Sequence, residues 1–193
     1  FELFDREGTI NIDAYRTTFM NQVIVDIEDQ DKLSFYNLDG ESYANTAQFD
    51  VAYELMNRLD IKLAYKLNDV FSTFNDGTKP VLFMPKERGL VNLAYSTDLD
   101  IWKFDLTCNY IGESRLPEHD ELEDRVASDK FILCNTQITK KINVFDVYVG
   151  CENILNYTQE NPILGADSPF GDNFDASLIW APIMGRVTYI GFR

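Results

Sequence analysis

The only histidine is the first place to look for chemistry. His119 stands in Pro117-Glu118-His119-Asp120-Glu121, shortly after Ser114. A serine, an imidazole and a carboxylate suffice for nucleophilic hydrolysis only when they converge in a held geometry. Here they are neighbours in a charged stretch, which predicts a solvated loop and no catalytic residue. Three acidic stretches offer oxygen ligands: Glu28, Asp29 and Asp31; Glu118, Asp120, Glu121, Glu123 and Asp124; and Asp167, Asp172 and Asp175. Carboxylates attract cations and bind Ca²⁺. None of the three has the spacing of a Ca²⁺ loop, so solvated charge is the expectation and Ca²⁺ the alternative. Cys108, Cys134 and Cys151 lack metal-ligand spacing. Each falls among residues that alternate with polar ones, so they are read as small apolar side chains on strand faces. No cofactor or metal site is expected, and the ligand-binding residues are left open.

What would have to position any such groups is set by the bulk of the chain. It has 193 residues and a formal net charge of −15. Such a charge repels phosphates, so no nucleic-acid partner is expected. The mean hydropathy is −0.23, and no apolar run approaches the length of a membrane-crossing helix. A membrane β-barrel stays open, because alternating strands average out as mildly polar.

Alternation dominates the sequence. Ala47, Phe49, Val51, Tyr53 and Leu55 interleave with Gln48, Asp50, Ala52 and Glu54. After Asn57-Arg58 the pattern resumes with Leu59, Ile61, Leu63, Tyr65 and Leu67. Two such runs about a two-residue turn predict a hairpin, with Asn57 taking the positive φ. Val91, Leu93 and Tyr95 lead through a turn at 97–100 to Trp102, Phe104, Leu106, Cys108 and Tyr110. Ile132, Cys134, Thr136 and Ile138 follow, with Leu133 the one apolar residue in the polar phase. A turn at Lys140-Lys141 leads to Phe145, Val147, Val149 and Cys151, and Val187 and Tyr189 mark a last strand. The run from Thr9 to Ile27 changes phase midway, which predicts a bulge. The count is about eight strands.

The connections differ in length. Those near 57–58, 97–100 and 140–143 are short. Those near 28–36, 74–86, 113–129 and 155–184 are long and polar. Short turns on one side and long loops on the other suit an up-and-down outer-membrane barrel. In that case the apolar faces meet lipid, and Asp50, Glu54, Asp60, Lys62, Lys66, Lys103 and Asp105 line the lumen. Tyr53, Tyr65, Tyr95, Trp102 and Tyr110 would form interfacial girdles. Trp180 is expected to anchor at the outer interface. Pro162, Pro169 and Pro182, with Gly165, Gly171 and Gly185, are read as turn-forming residues of the last connection.

The stretches VGCENILNY (149–157) and DNFDASLIWAPIMGRVTYIGFR (172–193) resemble the C-terminal end of TonB-dependent outer-membrane receptors. The stretch LFDREGTINIDAYRTTFMNQVIVDIED from Leu3, and the segment from Asn37 through Pro85, are similar to mid-barrel stretches of that family. The resemblance implies an all-β, antiparallel, up-and-down transmembrane barrel portion without a plug domain. It implies that residues 1–193 are a single incomplete domain, the C-terminal third of a 22-stranded barrel. The implied function is energised uptake of a scarce ligand across the Gram-negative outer membrane: an iron chelate, a corrinoid or a glycan. The implied partners are outer-membrane lipid, that ligand, and the TonB energy-coupling complex acting through a plug outside this chain. No chemical step is implied. The rival from another class is a small closed eight-stranded barrel acting as an anchor or adhesin, and a third is a lipocalin-like soluble binder with its apolar faces inward.

Overall fold

A computed structural model describes residues 1–27, 32–38, 40–74, 77–117, 126–171 and 174–193. The strands are β1 (Glu2–Leu3), β2 (Arg6–Phe19), β3 (Val23–Asp26), β4 (Ser34–Asn37), β5 (Ser42–Met56) and β6 (Leu59–Phe74). They continue with β7 (Gly77–Pro80), β8 (Glu87–Ser96), β9 (Trp102–Ile111), β10 (Phe131–Ile142), β11 (Phe145–Glu152) and β12 (Val187–Phe192). The main sheet runs β1-β2-β5-β6-β8-β9-β10-β11-β12, with β7 paired to β6. Each long strand pairs antiparallel with the next one in sequence, as an up-and-down meander does. The expected eight strands are corrected to ten in this sheet, because β1 and β7 add short pieces of two and four residues. A separate hairpin, β3–β4, belongs to the first long connection.

The turns form where the backbone turns left-handed, and this moves two of the expected ones. Asn57 is not the positive-φ residue of its hairpin; Arg58 is, at φ 67°. The pairing skips Leu55, between Glu54–Asp60 and Met56–Leu59, so a bulge supplies the twist. The turn expected at Lys140-Lys141 lies further on. Both lysines pair within the sheet, with Val147 and Asp146, and the reversal comes after Ile142 at Asn143, φ 56°. Asparagine tolerates that conformation better than lysine does. The predicted bulge between Thr9 and Ile27 is a strand end: β2 stops at Phe19 and Asn21 has φ 53°.

Period two puts one chemistry on each face of the sheet. Across one face run Ile10, Val51, Leu63, Val91 and Cys108 in one row of partners. Tyr95, Phe104, Ile138, Val149 and Ile190 form another row nearer the turns. This face is bare: Ile12 is 76 % and Ile190 79 % exposed. On β6 it runs from Leu59 to Leu67, about the nine to eleven residues of a tilted membrane-crossing strand. The next residue on that face, Asp69, accepts a hydrogen bond from Asn45. Opposite Leu67 stands Glu87, which accepts hydrogen bonds from the hydroxyls of Tyr65 and Tyr110. The apolar band therefore ends at one level on neighbouring strands. At its turn end Tyr95 stacks on Phe104, and Trp102 lies under the Lys140 ammonium at 4.7 Å.

The other face carries Asn11, Asp50, Lys62, Lys66, Arg88, Asn92, Asp105 and Gln137. No second sheet packs on either face among the described residues. The buried apolar residues instead include Phe131, Leu164, Leu178 and Ala181. They lie where the last long connection folds back over the polar face, at the end of the sheet away from the short turns.

Candidate functional site

That last connection is built around side chains that satisfy its backbone. Asn153, with φ 49°, ends β11. Its amide nitrogen donates to the Asn135 side chain at 2.9 Å. Its carboxamide then donates to the Tyr157 carbonyl at 2.7 Å and accepts from the Tyr157 N–H at 3.0 Å. Gln159 is 6 % exposed. Its Oε1 accepts from the N–H groups of Trp180 and Ala181 at 2.8 and 3.1 Å, and its Nε2 donates to the Leu178 carbonyl at 2.8 Å. A buried amide with all its partners fixes a loop that has no ladder of its own. Arg186 donates to the Ile154 carbonyl and Asn156 accepts from the Arg186 N–H at 2.8 Å, which closes the far end.

Fixed in this way, the connection walls an open cavity of about 390 Å³ on the polar face. Arg88 of β8, Ile111 of β9 and Leu133 of β10 form its floor. Trp180 and Pro182 come from the connection, and Phe83 from the segment between β7 and β8. Phe131 stacks on Tyr157 with centroids 4.9 Å apart and lies 6.0 Å from Trp180. The size is that of a small-ligand site. Arg88 makes no ion pair among the described residues, and Lys66 is its cross-strand partner. Lys66 lies outside the lining, so Arg88 is the one cation at the cavity, and an arginine beside aromatic rings suits an anionic group carried on an apolar body. A larger groove, about 890 Å³, extends from β1 and β2 across β5, β6 and β8. It runs past Glu54, Asp60, Lys62 and Asn92 on the polar face, whereas the smaller cavity is the one lined by residues of the last connection.

The residues singled out in the sequence fall elsewhere. His119 and the acidic residues Glu28, Asp29, Asp31, Glu118, Asp120, Glu121, Glu123, Asp124 and Asp172 lie outside the described residues. Ser114 is 6 % exposed, and its N–H donates to the Ser128 hydroxyl at 2.9 Å. Asp175 accepts from the Ser177 N–H at 2.6 Å, as a turn residue does. No three His, Cys, Asp or Glu side chains stand ready for a metal among the described residues. Trp180 is corrected: it packs towards Phe131 on the polar face and does not sit at a lipid interface. The cysteines are corrected in part. Cys108 and Cys134 are disulfide-bonded and Cys151 is free.

Arg88, Phe83, Phe131 and Gln159 carry no signal that alternation could reveal. Leu133 does. It was the single apolar residue in the polar phase of its strand, and it faces the cavity.

No protein-family model and no curated protein matches the sequence. Solved structures do match. The ferric-catecholate import receptor Fiu of Escherichia coli superposes with a TM-score of 0.63 at 13% identity, over 98% of this chain and 25% of that one. The ferripyoverdine receptor of the outer membrane of Pseudomonas aeruginosa gives 0.65 at 12% identity, over 99% and 25%. The FrpB iron transporter of Neisseria meningitidis gives 0.62 at 11% identity, over 96% and 28%. The chain spans about a quarter of the length of these receptors. Its all-β, antiparallel meander has the fold of one stretch of the β-barrel of TonB-dependent outer-membrane receptors.

Proposed function

We propose that residues 1–193 are the C-terminal portion of a TonB-dependent receptor barrel, a single incomplete domain of a larger transporter in the Gram-negative outer membrane. One observation carries this reading. The chain folds its own connection over the polar face, through Asn153, Gln159 and Phe131, and leaves the apolar face bare. A soluble barrel or sandwich does the reverse, because water makes burial of the apolar face the main driving force. In a bilayer the bare face is matched by acyl chains and the polar face lines the lumen.

Weighing against a small closed barrel is the same connection. An eight-stranded barrel has room inside for side chains or one small ligand. The segment from Asn153 to Arg186, with its own cavity, does not fit there.

In this reading the chain supplies barrel wall and loops to an energised uptake cycle. The ligand, an iron chelate, a corrinoid or a glycan, meets loops and plug on the outside. The plug then rearranges under force from the TonB complex. The polar face contributes the cavity beside Arg88, and no bond is made or broken by this chain. The ends with long connections are extracellular and the turns at 57–58 and 143–144 periplasmic.

The test uses the full reading frame in its own cells. Deleting it should impair growth when one of the three ligand classes is limiting, and uptake should stop when the inner-membrane proton gradient is dissipated. Tags at Asp120 should be reached by antibody on intact cells, and tags at Asn57 should not. Unimpaired growth on all three classes, or reversed labelling, overturns the assignment.

A further inference from the structure

Cys108 of β9 and Cys134 of β10 are direct cross-strand partners and form a disulfide. Their Cα atoms are 4.1 Å apart, close to the spacing of non-hydrogen-bonded antiparallel pairs, whose side chains lean together. Both lie on the apolar face, where Cys134 is itself 8 % exposed between its neighbours. Val91 flanks Cys108 on β8, and Leu106, Tyr110 and Ile132 surround the pair along the same face. The third cysteine, Cys151 of β11, lies on this face too, opposite Thr136. Its partner Thr136 is two residues along β10 from Cys134, so Cys151 is not the partner of Cys134.

Thiols and disulfides exchange only through a thiolate. An anion is driven out of hydrocarbon. A bond placed on this face cannot be made once acyl chains cover it, nor broken by a reductant in the water. We propose that the Cys108–Cys134 bond is an oxidative modification closed in the periplasm before these strands enter the membrane, and that insertion then seals it. The proposal rests on the lipid-facing assignment above.

The partner is a protein thiol–disulfide oxidant with an accessible disulfide. One cysteine thiolate attacks a sulfur of that disulfide, forms a mixed disulfide and releases one oxidant thiol. The other cysteine's thiolate attacks the mixed disulfide at the receptor's sulfur, closes Cys108–Cys134 and expels the second oxidant thiol. Two electrons and two protons pass from the receptor's thiols to the oxidant.

The placement gives the bond a use. It joins strands separated by the connection 112–130, so no short turn sets their register. A slip of one residue between β9 and β10 would turn Phe104, Leu106 and Tyr110 to the polar side. A covalent link between positions 26 residues apart removes that freedom while the chain is still in water.

The experiment uses the full-length receptor in its own cells. Free thiols are trapped with a mass-adding maleimide after denaturation, and membrane assembly is read separately by heat-modifiable gel mobility. Dithiothreitol added after assembly should leave Cys108 and Cys134 unlabelled, with Cys151 alone reacting. The same reductant in urea should free all three, at a rate greater by about a hundredfold or more. Dithiothreitol added before synthesis should lower assembled receptor severalfold. The double variant Cys108→Ser with Cys134→Ser should assemble equally with and without reductant. An assembled, heat-modifiable receptor with both thiols free overturns the proposal. So does a bond reduced as fast in the membrane as in urea. A chain that carries the bond but never enters the membrane fraction overturns the barrel reading itself.

Discussion

The two ends of the sheet are built on different principles. At the turn end the chain reverses within a few residues. Arg58, Leu99 and Asn143, with φ of 67°, 58° and 56°, bend the backbone, and the neighbouring rungs of the ladder hold it. Side chains there act at the surface: Glu54 accepts from the Arg58 N–H at 2.8 Å, Thr97 accepts from the Trp102 N–H at 2.9 Å, and the Arg58–Asp98 ion pair is exposed, with Asp98 at 90 %. At the other end the last connection, from Asn153 to Arg186, has one isolated bridge among its described residues, Leu164 with Asp175. Its order depends on Asn153, Gln159 and the Phe131–Tyr157 stack. Local backbone geometry closes one end, and buried polar side chains close the other.

The contrast predicts unequal sensitivity. Replacing Gln159 with Leu removes the acceptor of Trp180 and Ala181 and the donor to Leu178. Leaving buried backbone groups unpaired costs about 1–3 kcal/mol each. Residues 153–186 should then lose hydrogen-exchange protection and become open to protease, while β5 and β6 keep theirs. Equal protection loss at both ends would break the distinction.

The next effect concerns the faces. Leu63 lies on the bare face and Lys62 on the polar one. A positive charge at the midplane of a barrel's lipid face costs roughly 2–4 kcal/mol. Leu63→Arg should reduce assembled receptor, and Lys62→Leu should not, as read by outer-membrane yield. If both were harmless, the face assignment would fail.

At the turn end the effects should be smaller. Asn143→Val puts a β-branched residue at φ 56°, at a cost of about 1–2 kcal/mol. Asn143→Gly should be neutral or better. Denaturant midpoints of the refolded receptor would show it. Asp98→Asn should change nothing measurable, since exposed ion pairs contribute about 0–1 kcal/mol. A loss as large as that of Gln159→Leu would show that the turn end also relies on its side chains.

A fourth comparison sits at the edge of the sheet. Gly150 and Gly191 face Tyr189 and Tyr148 on the neighbouring strand, and a Cβ on either glycine would overlap the opposing ring. The Tyr189 hydroxyl reaches across to Gln137 at 3.1 Å. Gly150→Ala should displace that ring and weaken the last strand pair by about 1–3 kcal/mol. A Tyr189→Ala background should remove the penalty. A penalty that persisted there would mean the glycine serves its backbone and not the ring.

The sequence by itself determined the long strands of the meander, the alternation of most of them and the inequality of the two ends. These are local facts: a side chain's face follows from its parity, and a short turn needs few residues. It also marked Leu133 as out of phase. It did not show β3, β4 or β7, and it put Tyr189 in the apolar set where the structure has it on the polar face beside Gln137. Nor did it determine turn positions, because Lys140-Lys141 and Asn143-Val144 both follow the same alternating run. Only the tertiary structure decided which face the last connection covers. It also decided that Gln159 is a strut and Trp180 an inner wall, and that Cys108 finds Cys134 and not Cys151. These depend on register between strands separated by long connections. Register is set by many weak contacts at once, and no short stretch of sequence records it.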